Sequence, residues 1–227
     1  MLFIFLVFIR SFFFSESKIK MIEDLPDVIT VQEANEIIEF ARKKGMKRSM
    51  LVRSFPFVSF YWEGRTSTNT FMERNEFTPA VERLAEFVSK KTGYPIDNQE
   101  WQIVHYEPGQ QYKVHHDGKG RMYTMFVYLN TVEEGGETYF PNINRKVKPV
   151  LGHAVLWKNY KVERWMGLDW MVMDNDAKHT GLPPSKGEKW GINVWVRDQV
   201  YWNIEDYKII IPVIISIVCM IILYLKT

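Results

Sequence analysis

The stretch Gln111-Tyr112-Lys113-Val114-His115-His116-Asp117 decides how the rest of this chain reads. Side chains two apart on a β-strand leave the same face, so an extended segment sends His115 and Asp117 to one side and His116 to the other. One imidazole and one carboxylate cannot hold a catalytic metal alone. The best third ligand is His179, in Lys178-His179-Thr180-Gly181. Two imidazoles and a carboxylate on one face of an octahedron suit non-haem Fe(II), with open positions for substrate and oxygen, although the same donors also hold zinc. His153 follows Gly152 at the head of an apolar strand, and His105 alternates against Tyr106, so both read as structural.

Ten residues after His179 stands Lys189, followed by a strand in which Trp190, Ile192, Val194 and Val196 alternate with Gly191, Asn193, Trp195 and Arg197. A lysine at the head of that strand enters a partly buried cleft. An unpaired buried ammonium is costly, so an anion is expected there, and one carboxylate of a small diacid would serve.

Outward from these residues the pattern is one of short strands broken by turn signals. Trp101–Tyr106 runs to Pro108-Gly109, Met122–Leu129 to Gly135-Gly136, and Glu137–Phe140 to Pro141, while Ala154–Trp157 follows Gly152 and Trp190–Arg197 follows Gly187. Upstream, Thr30–Lys44 reads as a helix, with a Thr30/Glu33 capping box, an apolar stripe of Val31, Ala34, Ile37, Ile38 and Ala41, and Gly45 to close it. Thr78–Lys91 reads as a second, with Pro79 at its first position and Gly93 at its end. Two helices ahead of a β-rich half predict an α+β, mainly β domain with helices packed outside an antiparallel sandwich or barrel.

Hydrophobic residues make up 46% of the 227, enough for a sizeable core and against global disorder. The 29 Lys and Arg nearly balance the 27 Asp and Glu, so nothing points to nucleic acid as a partner. Cys219 is the single cysteine, which excludes an internal disulfide and a cysteine-based zinc site. It lies in the uncharged run Ile209–Leu225, flanked by Lys208 and Lys226, which as a helix would span about 26 Å. Tyr201, Trp202, Tyr207 and Tyr224 suit the interfaces of a bilayer. The domain organisation expected is an apolar segment over 1–20, a catalytic domain over 21–205 and a single-pass C-terminal anchor over 206–227. The first segment admits three readings: a signal anchor, a membrane-surface segment, or translated sequence ahead of a start at Met21. An anchor so close to the C-terminus inserts after synthesis and leaves the domain in the cytosol. A working signal over 1–20 would place it in a lumen instead, and the lack of cysteines favours the cytosol.

In order along the chain, Tyr106…Pro108-Gly109-Gln110-Gln111-Tyr112…His115-His116-Asp117, Arg121…Thr124…Tyr128-Leu129, Gly135-Gly136-Glu137-Thr138…Phe140-Pro141 and His179-Thr180-Gly181…Gly187…Lys189-Trp190…Trp195 resemble the prolyl 4-hydroxylase branch of the 2-oxoglutarate/Fe(II) dioxygenases. The likeness runs from about Trp101 to Arg197. It implies a double-stranded β-helix (jelly-roll) core, with His115, Asp117 and His179 binding iron and Lys189 pairing with the distal carboxylate of 2-oxoglutarate. Tyr106 and Thr138 match positions that help hold that carboxylate, and Tyr112, Arg121 and Trp195 match positions near a peptide substrate. The implied reaction hydroxylates a peptidyl residue, proline first, while 2-oxoglutarate and O2 give succinate and CO2, with ascorbate as the expected reductant. The chain departs from the family in Val114, in the C-terminal anchor, and in the Trp- and Met-rich segment Lys161–Lys178, which reads as a lid, a membrane-contacting loop or a partner surface. Two other functions share the ligand pattern: oxidative demethylation of an alkylated target such as nucleic acid, and a non-enzymatic membrane scaffold. Relatives of the first kind use arginines where Lys189 stands, and loss of a ligand would mark the second.

Overall fold

The computed structural model describes residues 20–53, 58–118, 120–165 and 168–198. The segments expected to be an N-terminal apolar stretch and a C-terminal anchor lie outside the described residues, apart from Lys20. Among the described residues no helix is long and apolar enough to cross a membrane.

Thirteen strands among the described residues build the two principal sheets and one hairpin: β1 (Ile22–Leu25), β2 (Lys47–Arg48), β3 (Thr68–Met72), β4 (Gln99–Tyr106), β5 (Tyr112–His115), β6 (Arg121–Tyr128), β7 (Thr138–Phe140), β8 (Arg145–Val147), β9 (Ala154–Lys158), β10 (Tyr160–Trp165), β11 (Leu168–Met173), β12 (His179–Gly181) and β13 (Lys189–Arg197). The larger sheet has the order β1-β9-β6-β13-β4-β3-β2 and the smaller β8-β7-β12-β5, and every pairing in them is antiparallel. Two antiparallel sheets facing one another, mainly β, are the expected jelly-roll arrangement.

The helices α1 (Val31–Lys44) and α2 (Pro79–Thr92) form where the caps predicted them. Thr30 and Glu33 satisfy each other's backbone amides, Thr78 caps α2, and Gly93 ends it in the left-handed region at φ 76°. Ala34, Ile37, Ile38 and Ala41 of α1 and Val81, Leu84, Ala85 and Val88 of α2 share one buried cluster with Trp101, Ile103, Met125, Val127, Ile192 and Val194. Each Ile or Leu fully buried there contributes about 1.5–3 kcal/mol of transfer free energy. The helices thus cover the outer face of the larger sheet and leave its other face for the interior. That inner face carries Val104, Tyr106, Phe126, Tyr128, Val155 and Trp157, which cluster with Phe140, Val147 and Ala177.

Strand alternation sorts the functional residues. Lys189, Gly191, Asn193 and Trp195 lie opposite Tyr106, Val104, Gln102 and Glu100 across the β13–β4 ladder, all on the inner face. Gly191 has a steric role there. A Cβ built on it would sit 2.1 Å from Cζ of Phe126, whose ring covers Lys189. Gly191→Ala should therefore destabilise the protein by about 2–3 kcal/mol, a drop of about 5–10 °C in Tm; an unchanged melting curve would contradict this packing.

The sequence reading placed the strands after the helices. The structure differs: β1 and β3 precede β4 in the chain and still join the larger sheet, pairing with β9 and β4. The Trp- and Met-rich segment opens as a regular β10–β11 hairpin, paired from Tyr160↔Met173 to Trp165↔Leu168, with Met171 and Met173 packed against the outer core.

Candidate metal centre

His115 ends β5 and His179 begins β12, and the antiparallel register sets them directly opposite each other. Asp117, two residues past His115, turns back to the same point. The ligand atoms of His115, Asp117 and His179 lie within 4.8 Å of one another. Nε2 of His115 is 3.9 Å from Asp117 Oδ1, and Nε2 of His179 is 3.8 Å from Asp117 Oδ2. Asp117 and His179 are both buried, at 6% exposure each.

The far side of each ring sets its tautomer. His115 Nδ1 lies 2.8 Å from the Lys113 carbonyl oxygen and His179 Nδ1 lies 2.9 Å from that of Ala177. A carbonyl only accepts, so each Nδ1 carries the proton and each Nε2 turns a lone pair to the shared point. Burial, reinforced by His179, holds the His115 pKa well below its ordinary value, which keeps that ring neutral and able to ligate. Burial alone would raise the Asp117 pKa. Its surroundings more than offset it, the Arg121 cation and the Thr124 hydroxyl among them, and the carboxyl stays ionised.

Lys189 stands on the facing sheet at 2% exposure. Its Nζ sits over the rings of Phe126, Tyr106 and Tyr128 at 4.9, 5.4 and 5.4 Å. No described residue gives it a hydrogen bond or a salt bridge, and burial pulls its pKa from 10.5 down to about 7. The sequence reading placed this lysine in a partly buried cleft; the structure encloses it fully. Thr138 accepts a 2.7 Å hydrogen bond from the Tyr128 hydroxyl, which ties the two sheets together beside the lysine. Tyr106 is the cross-strand partner of Lys189.

Of the three residues expected beside a peptide, Tyr112 and Arg121 pack onto metal ligands and Trp195 packs onto Arg121. Tyr112 stacks on the His115 ring at 3.5 Å and 16°, and the Arg65 guanidinium lies 4.6 Å from the centre of the Tyr112 ring. Arg121 donates to the Asp117 carbonyl at 2.9 Å and to Glu100, and lies 3.5 Å from the centre of the Trp195 ring. His105, read as structural, stacks on Trp190 at 4.1 Å and meets Glu188 at 2.7 Å.

Sequence reasoning missed several buried polar residues. Arg65 is 6% exposed, and its hydrogen bonds go to the neutral oxygens of Met50 and Gln102. Trp157 and Asn159 join Thr124, a residue of the family-like pattern, in a chain of hydrogen bonds to Asp117. An arginine in a loop or an asparagine after a strand carries no signal by itself; only the fold turns them inward.

A jelly roll that brings two Nε2 lone pairs and one carboxylate together, across from a buried cation, defines the class of non-haem Fe(II) oxygenases that use a dicarboxylate co-substrate. Comparison with known proteins agrees. The 2OG-Fe(II) oxygenase superfamily model matches residues 101–197. Probable prolyl 4-hydroxylase 3 of Arabidopsis thaliana is 30% identical over 211 residues, covering 80% of this chain and 68% of that protein. Probable prolyl 4-hydroxylase 8 of the same plant is 32% identical over 200 residues, covering 76% and 67%. The crystal structure of the viral collagen prolyl hydroxylase of Paramecium Bursaria Chlorella virus-1, in complex with 2OG, is 26% identical with a TM-score of 0.61, covering 81% of this chain and 98% of that one. This chain belongs to the prolyl 4-hydroxylase family of 2-oxoglutarate- and Fe(II)-dependent oxygenases.

Proposed function

We propose that this protein hydroxylates a peptidyl residue, proline before others, with Fe(II), 2-oxoglutarate and O2. The observation that carries the reading is the pairing of the His115, Asp117 and His179 donor set with the enclosed, partnerless Lys189. The donors fit iron: two neutral imidazoles and one ionised carboxylate leave the other coordination positions open. Lys189 fits the co-substrate: its cation meets the distal carboxylate, with Tyr106 and Thr138 beside it. Bound there, iron and 2-oxoglutarate would activate O2, one oxygen atom going into succinate as CO2 leaves and the other into the substrate C–H bond. The chain's own residues orient and exclude. The Lys113 and Ala177 carbonyls set the two imidazole tautomers, Arg121 holds the backbone of Asp117, and Phe126, Tyr106 and Tyr128 keep water from the lysine. Tyr112, Arg121 and Trp195 then border the peptide where it approaches the ligands.

The test supplies the full chain with Fe(II), ascorbate, 2-oxoglutarate and proline-rich peptides, and follows succinate together with peptide mass. Peptide-stimulated succinate matched by addition of one oxygen atom to proline supports the reading. Succinate matched by oxygen on another residue moves the specificity, and no turnover with no Fe(II) binding removes the enzymatic assignment.

The low pKa of Lys189 adds a pH dependence. Above pH about 7 the ligand-free lysine loses its proton, yet a bound carboxylate requires it charged, so binding takes up a proton. The KM for 2-oxoglutarate should rise between pH 7 and 9, by up to about tenfold per unit, with little change in saturated kcat. A KM flat over that range would count against Lys189 as the carboxylate partner.

The membrane assignment belongs to the same proposal. The uncharged run Ile209–Leu225 between Lys208 and Lys226 supports an anchor over 206–227 that holds the catalytic domain, 21–205, against a bilayer. The confinement of the single cysteine to that run supports a cytosolic face. Alkaline carbonate extraction and protease protection of the full chain in membranes test both points. Release by carbonate would remove the anchor, and protection from external protease would place the domain in a lumen.

A further inference from the structure

A chain of three fully buried hydrogen bonds leads from the outer end of β9 to the metal ligands. Trp157 Nε1 lies 2.9 Å from Asn159 Oδ1, Asn159 Nδ2 lies 2.8 Å from Thr124 Oγ1, and Thr124 Oγ1 lies 2.5 Å from Asp117 Oδ2. Trp157, Asn159 and Thr124 are at most 1% exposed.

The direction of the chain follows from the chemistry of its members. An indole nitrogen only donates, so it faces the amide oxygen of Asn159 and fixes which way that amide is turned. The Asn159 NH2 group only donates as well, so it occupies a lone pair of the Thr124 oxygen. The single Thr124 proton is then committed to Asp117, whose ionised carboxylate only accepts. The backbone of Asn159 is itself held on both sides, by its amide to the Met122 carbonyl and by its carbonyl from the Asp174 amide, both at 2.9 Å. The Trp157 ring also packs edge-on against His179, centroids 4.7 Å apart. One side chain therefore touches one metal ligand through its ring and steers a second through its N–H.

We propose that Trp157, Asn159 and Thr124 are positioning residues for the metal: the directed chain locks one oxygen of Asp117 in a hydrogen bond and leaves the other for the ion, while the Trp157 ring holds His179 in register with it. The proposal rests on the metal-site reading above. Two consequences separate it from mere packing. The hydroxyl of residue 124 matters and its methyl group does not, and the spectrum of a bound ion changes with that hydroxyl.

The test uses the full chain and Co(II) as the probe, which reports ligand geometry in its visible spectrum. Dissociation constants are measured by titration for wild type, Thr124→Val, Thr124→Ser and Asn159→Leu, with circular dichroism and melting of the metal-free proteins alongside. Valine keeps the shape and removes the donor, and its Kd should weaken by about 10–100-fold with an altered spectrum. Serine keeps the hydroxyl and should bind within about threefold of wild type. Leucine at 159 leaves the hydroxyl in place without a fixed direction and should weaken binding by about 3–10-fold. If Thr124→Val does not fold, Asn159→Leu with Thr124→Ser decides. A folded Thr124→Val, or in its place a folded Asn159→Leu, that binds Co(II) with the wild-type constant and spectrum overturns the positioning role. A wild-type chain that binds no divalent ion overturns the metal-site reading itself, a different result.

Discussion

Lys189→Met is expected to abolish productive 2-oxoglutarate binding and, in the same protein, to raise the melting temperature of the ligand-free fold. Both effects come from one observation: the ammonium is enclosed by three aromatic faces, and among the described residues it makes no ion pair, the Glu137 carboxylate acting on it only through space. Ring faces replace only part of the hydration that burial removes. The fall from 10.5 to about 7 corresponds to a penalty on the charged form of order 5 kcal/mol. The sign follows from proton counting. Between pH 7 and 10.5 the unfolded chain holds the lysine proton and the folded chain does not, so this group makes wild-type stability rise with pH across that window. The penalty is full below pH 7 and gone above 10.5. Methionine keeps most of the volume without the charge, so the variant should gain about 2–4 kcal/mol at or below neutral pH, a rise of about 5–10 °C. The gain should shrink as pH climbs toward 10.5. The same change leaves the co-substrate's distal carboxylate buried without a cation, which costs about 3 kcal/mol or more, so the KM for 2-oxoglutarate should rise at least about 100-fold. Melting curves across pH and a 2-oxoglutarate titration of succinate release check the two halves. A variant that melts no higher than wild type at pH 6 would mean that Lys189 has an anionic partner in the resting protein.

What the sequence disclosed and what it withheld divide along physical lines. Helices α1 and α2 announce themselves through local signals: a capping threonine, a stripe at 3.6-residue spacing, a terminal glycine. The pairing of His115 with Asp117 needs only the two-residue period of a strand, and the placement of His179 across from them follows once β12 pairs with β5. The strands β1 and β3 carry no comparable signal. Ile22–Leu25 reads IEDL and Thr68–Met72 reads TNTFM, short and half polar, and they become strands because the exposed edges of β9 and β4 accept them. The same holds for Arg65, Trp157 and Asn159. Asn159 follows Trp157 by two residues, an unremarkable spacing, and matters only because β9 lies beside β6 and sets Trp157 opposite Thr124. Tyr112, Arg121 and Trp195 show the converse. Their positions were readable from the family pattern, but their grip on His115, Asp117 and each other follows from contacts that no spacing records.

Asp117→Asn should cost at least about 1,000-fold in kcat/KM, and the reason lies in the amide's single acceptor. Wild-type Asp117 serves two partners at once, taking the Thr124 proton on Oδ2 while a second oxygen remains for the metal. Asparagine has the same outline and one oxygen. If that oxygen receives Thr124, the NH2 group faces the metal position and offers no lone pair; if the amide turns over, Thr124 loses its acceptor in a site closed to water. Neither orientation supplies a charged metal ligand and an acceptor for Thr124 at the same time, and substituting His179 instead would add a cavity to the comparison. Metal binding supplies a readout independent of turnover. An ion at 100 times its Kd stabilises the wild-type fold by about 2.7 kcal/mol, so Fe(II) or Co(II) should raise the wild-type Tm by several degrees and leave Asp117→Asn unmoved. Retention of the metal-induced shift in a folded Asp117→Asn protein would show that the carboxylate is not a ligand. Set beside Lys189→Met the two variants resolve the halves of the site: the lysine variant should keep the metal shift and lose the further shift caused by 2-oxoglutarate, whereas the aspartate variant should lose both, because the co-substrate has no metal to meet at its other end.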